Sequence, residues 1–135
     1  MVRSSSTLRE VWRPLVGTKV WLEYFDHNSY FEEVFKPQYG TIREQFSGGE
    51  GRDDWYLVKL DQPFGYKQYD IDHLVISSRW QGERVGQSIP TSVFVVLAPD
   101  PEKLTEPFEV DRKLYIAWGI AGPDKDSIDR FLNRD

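Results

Sequence analysis

The chain has 135 residues, 39% of them hydrophobic and 29% charged, with a net charge of −5 and no cysteine. That length and composition predict a single folded domain over 1–135, large enough to bury a core, and exclude a disordered chain. The lack of cysteine excludes disulfide staples, thiolate metal centres and cysteine nucleophiles, and fits the cytoplasmic location expected here.

In chain order, Thr7-Leu8-Arg9-Glu10 has capping-box spacing and predicts a short N-terminal helix with Leu8, Val11 and Trp12 on one face. Pro14 ends it. Thr18 to Phe25 is the first strand, with large apolar residues on both alternating faces, so that something beyond the core covers it. DHNSYFEEVFKPQ is an aromatic-rich loop holding one helical turn. Tyr39 to Phe46 is the second strand, SGGEGRDD a loose hairpin loop, and Trp55 to Asp61 (WYLVKLD) the third strand. DQPFGY has proline and glycine where a turn uses them. His73 to Ser77 and Thr91 to Ala98 are two further strands, joined by the polar stretch SSRWQGERVGQSIP.

From Pro99 the texture changes. PDPEKLTEP, with three prolines, is a linker or an extended crossing segment. Arg112 to Trp118 is a last strand, and Asp124 or Asp126 caps a C-terminal helix that turns Ile128, Phe131 and Leu132 towards the body. Burying such residues is worth roughly 1.5–3 kcal/mol each, so 112–133 is expected to pack on a barrel-like core of about 16–98 as part of the fold. The whole predicts a mostly β protein: a small barrel or partly open antiparallel sheet of five or six short strands, with short N- and C-terminal helices.

Within 16–98, a strand following GTKV, a second opening on YGTI, then WYLVKLD and HLVIS, give a strand rhythm that resembles the small barrels of the Src-homology and Tudor type. The resemblance rests on strand spacing. It implies binding of peptides or modified side chains through clustered loop aromatics.

The densest chemistry is YDIDHLVIS. Asp70 and Asp72 share one face of an extended chain, with Ile71 and His73 on the other. Two carboxylates and an imidazole suit a hard cation or proton transfer, so a small metal-dependent or hydrolytic enzyme centred on Asp70, Asp72 and His73 is one alternative. The plain alternative makes the aspartates solvated turn residues and His73 a strand residue whose ring satisfies a polar neighbour. No catalytic set emerges elsewhere. Ser77, Ser78 and Ser88 lie outside any G-x-S-x-G elbow, and Ser47 to Gly51 lacks the lysine of a phosphate loop. Glu32 and Glu33 are adjacent and diverge. No motif calls for a cofactor.

Aromatics in polar segments are the stronger signal. Trp80 with Arg79 lies in SSRWQGE, Tyr30 in the first long loop, and Tyr66 beside a turn. Such residues anchor interfaces. The expected function is a non-enzymatic module that engages a protein or peptide partner through Trp80, Arg79, Tyr30 and Tyr66. Single-stranded nucleic acid, stacked on the same rings, is the remaining alternative. Acidic residues outnumber basic ones, nine to six from Pro99 onward, which disfavours nucleic acid and anionic membranes. No window approaches eighteen apolar residues, and the N-terminus has no signal-peptide core.

Overall fold

The computed structural model describes residues 16–24, 34–46, 55–78, 91–106 and 108–133. The helix expected after Thr7 and most of the aromatic-rich loop lie outside the described residues.

Six strands, β1 (Lys19–Tyr24), β2 (Gln38–Phe46), β3 (Trp55–Tyr66), β4 (Tyr69–Ser78), β5 (Thr91–Leu97) and β6 (Tyr115–Gly122), form a closed barrel in sequence order. Every pairing is antiparallel, and β6 returns to β1 with Trp21 opposite Gly122 and Tyr24 opposite Gly119. The expected mostly β small barrel is thus found in its closed form, with six staves.

The interior follows from alternation along the strands. Val20 and Leu22, Ile42, Tyr56, Val58 and Leu60, Leu74 and Ile76, and Val93, Val95 and Leu97 meet in one buried cluster. Two glycines permit its tight seams. A Cβ on Gly40 would lie 2.5 Å from Val58 Cγ1, and one on Gly119 would lie 2.5 Å from the Glu23 carbonyl oxygen.

A second apolar layer lies outside the barrel. Phe46, Trp55, Leu57, Val75 and Val96 are buried with Ala98 and Phe108. The segment after β5 therefore is a crossing segment. It makes one 3-10 turn (Pro101–Lys103) and lays Phe108 with its ring centroid 4.7 Å from Trp55 and 6.4 Å from Phe46. This second layer accounts for the apolar run Trp55 to Val58, buried on both faces.

Three expectations are corrected. First, DQPFGY is strand and not turn. β3 continues through it, and the chain reverses at Lys67 and Gln68, with Lys67 at φ 55. Asp70 and Asp72 are accordingly strand residues. Second, the last strand begins at Tyr115, because Asp111 organises a turn over 112–114. Its side chain accepts from Lys113 N at 2.9 Å and its carbonyl from Leu114 N at 2.8 Å. β6 is then a stave of the barrel, which runs to Gly122 and does not end near 98.

Third, the C-terminal helix α1 (Lys125–Phe131) buries Ile128 but leaves Leu132 40% exposed. Leu132 caps the helix and Asn133 follows at φ 59, so the chain turns away before Leu132 reaches the barrel. The Phe131 side chain lies outside the described residues. Asp124 is the N-cap, accepting from Ser127 N at 2.7 Å.

Gly119→Ala, which forces a methyl group against the backbone of β1, is expected to cost about 1–3 kcal/mol. Gly65→Ala, whose added Cβ meets nothing nearer than 3.9 Å, should stay within about 0.5 kcal/mol of the parent. Urea unfolding distinguishes the two, and equal costs would contradict the tight β6–β1 seam.

The bonds from the Ser127 backbone N–H, and secondly its side chain, hold the Asp124 carboxyl below its ordinary 3.8. A lowered carboxyl contributes stability above its unfolded value and loses it as pH falls through the folded one. Asp124→Ala should cost about 0.5–2 kcal/mol at neutral pH. The difference from the parent should shrink, though not to zero, well below pH 3.8, because the protonated carboxyl still accepts from Ser127 N, as read from urea midpoints at the two pH values.

Candidate functional site

The irregular place in the barrel is the β3–β4 hairpin. Lys59 pairs with His73 and Phe64 with Ile71, so residues 60–63 of β3 oppose Asp72 alone. Pro63 has no N–H to give the ladder, and the strand bulges where it sits. The bulge is held from the β2 side. Gln62 N donates to Gln38 Oε1 at 2.6 Å and Gln38 Nε2 donates to Gln62 O at 3.1 Å, so a buried side-chain amide replaces a strand partner. Lys19 Nζ holds Asp61 at 3.0 Å.

Beside this bulge lies an open groove of about 570 Å³, lined by residues 63–65 of β3, residues 70–72 of β4 and Pro99. Pro63, Phe64 and Pro99 make its apolar part. Asp70 and Asp72, both exposed, supply negative charge. Phe64 is half-buried and packs towards the core, edge to face with Phe35 at 5.5 Å between centroids.

The structure brings Asp70, Asp72 and His73 together on β4 and shows what the histidine does. His73 is 5% exposed. Its Nδ1 lies 2.7 Å from Asp72 Oδ1, and its Nε2 lies 3.1 Å from Arg43 Nη1. A guanidinium has donors only, so the contacts assign Nε2 as the acceptor and Nδ1–H as the donor to Asp72. Arg43 reaches it because it is the extra residue of a bulge in β2, between the pairs Ile42–Val58 and Glu44–Leu57. The same guanidinium lies 3.5 Å from Glu102 of the crossing segment, a pair too exposed to matter much for stability.

This geometry bears on the metal and proton-transfer alternative. The lone pair that would bind a cation or take a proton already faces a guanidinium. Among the described residues, no group of three or more histidine, cysteine or carboxylate side chains is arranged to hold a metal ion.

Tyr66 is placed in the barrel interior, 5% exposed, with the Lys67 ammonium 5.5 Å from its ring centroid. Its ring belongs to the core cluster, because the strand continues where a turn was expected. Trp80, Arg79 and Tyr30 lie outside the described residues. Sequence reasoning missed Arg43, Gln38, Pro63, Phe64 and Pro99. Only Pro63 carried a signal, as a proline two residues beyond the expected strand end.

Imidazole nitrogen NMR should show His73 protonated on Nδ1 at neutral pH. Arg43→Ala should leave Nε2 without its donor and move that resonance most. An Nε2–H tautomer in the parent protein would disprove the contact to Arg43.

Comparison with protein families, with curated proteins and with solved structures finds no match to this chain, and among the described residues no helix is long and apolar enough to cross a membrane.

Proposed function

We propose that this chain is a non-enzymatic binding module that takes a protein or peptide partner in the groove between the β3 bulge and β4. The supporting observation is the groove itself. It is open, about 570 Å³, partly apolar and rimmed by two exposed carboxylates. Binding sites combine an apolar lining with a few placed polar groups in this way. The engaged nitrogens of His73 weigh against catalysis, and the carboxylates repel phosphate, which weighs against a nucleic-acid partner. A peptide in extended form matches a groove bordered by strands. The loop aromatics Trp80 and Tyr30, with Arg79, belong to this proposal as further anchors, and the reducing cytoplasm is the compartment a cysteine-free chain suits.

Peptides selected by the purified protein from a random displayed library test the proposal. Their binding should shift backbone amides of residues 63–65 and 70–72. Gly65→Leu, which fills the groove at a position with room for a side chain, should weaken them roughly tenfold or more while leaving the melting temperature nearly unchanged. Failure to select any binder, or shifts confined to another face, would refute the groove as the binding surface.

A further inference from the structure

We infer that the partner of this groove inserts an arginine side chain against Asp70 and Asp72. The inference rests on the binding proposal above and names the chemistry of its partner.

Three observations carry it. Asp70 and Asp72 are two apart on β4, so their side chains stand on one face, about 7 Å apart along the strand. Both are exposed and both line the groove. Secondly, their charge is not met from within. His73 donates to one oxygen of Asp72 only, and among the described residues no lysine or arginine forms an ion pair with Asp70 or Asp72. Two other acidic side chains near the bulge are engaged. Asp61 is held by Lys19 and Glu102 faces Arg43. Thirdly, two prolines, Pro63 and Pro99, are among the remaining lining residues and offer flat apolar rings.

A planar guanidinium fits all three. Its forked donors reach two carboxylates at once, its faces lie against proline rings, and its weak hydration makes such a setting favourable. Its aliphatic stem covers apolar surface. A lysine ammonium is compact and strongly hydrated, and bridges the two carboxylates less well. A divalent cation lacks a further ligand at this place, since the described residues form no such group. The net charge of −5 adds long-range attraction for a basic segment.

The peptides selected above provide the test through their sequences. Arginine should be enriched at one fixed position. Replacing that arginine with lysine should weaken binding several-fold, and with alanine more. Asp70→Asn, at an exposed side chain on which no fold contact depends, should reduce affinity by about tenfold, the loss expected from one charge-assisted hydrogen bond. Asp72→Asn should act in the same direction. Affinity should fall with added salt, and millimolar magnesium or spermidine should compete only by that general screening. Groove-bound peptides lacking arginine, or an unchanged affinity in Asp70→Asn, would overturn this inference and leave the binding proposal standing. Equal affinity for the lysine peptide would overturn the arginine assignment. Saturable displacement by spermidine or magnesium alone would identify a free cation as the ligand instead.

Discussion

The structure depends on the pairing of β6 with β1. Without it, the six strands would be an open sheet with β1 and β6 as unpaired edges, each a template for association with another chain. With it, every stave has two neighbours, and alternation alone decides which side chains enter the core. The seam is close enough that Gly119 sits under the Glu23 carbonyl with no room for a Cβ. The crossing segment and the helix both follow from this closure. The former must carry the chain from β5 back to a position beside β1, and the latter begins where β6 ends.

Closure also sets what the outer faces must do. A six-stranded barrel cannot bury both faces of its staves by itself. The run Trp55-Tyr56-Leu57-Val58 nevertheless has no exposed member. Tyr56 and Val58 enter the barrel, while Trp55 and Leu57 need a cover, and the crossing segment supplies one with Phe108. Insertion of Phe108 beside Trp55 and Phe46 makes an acidic, proline-rich connection part of the folded body. Its cost in chain ordering is offset by aromatic burial on the order of a few kcal/mol.

Much of this was legible in the sequence, and the gaps have physical causes. Alternation of β-branched and aromatic residues located all five strands before the crossing segment within a few residues, because half-buried strands leave a period-two record. The cap was legible as Asp124 or Asp126 because the bond it makes is local, and the structure uses Asp124. Closure was not legible, since pairing of the first and last strands leaves no local trace. Bulges were the main source of error. Ile42 and Phe46 are four apart and would share a face in a regular strand, yet Arg43 as an extra residue sends Ile42 inward and Phe46 outward. DQPFGY has the composition of a turn, but Gln38 satisfies the backbone of Gln62 from another strand, which lets the bulged chain continue as β3. That contact spans 24 residues and no local pattern announces it. The placement of Tyr66 followed from the same error.

The two bulges together explain why the cluster Asp70, Asp72 and His73 does not behave as its composition suggests. The β2 bulge turns Arg43 onto the imidazole, and the β3 bulge leaves β4 to face a single-residue gap at Asp72. The first occupies the nitrogen on which metal or proton chemistry would rely. The second opens the groove, because four residues of one strand cannot lie flat against one residue of its neighbour. Regular ladders would have produced a sealed wall with two solvated aspartates. The concave surface exists because the hydrogen-bond register fails there, and the buried Gln38 amide holds the displaced strand in place. Its rigidity is therefore inherited from β2, which does not line it. On the binding reading proposed above, the groove would meet a partner as a surface whose shape is set by a strand that does not line it.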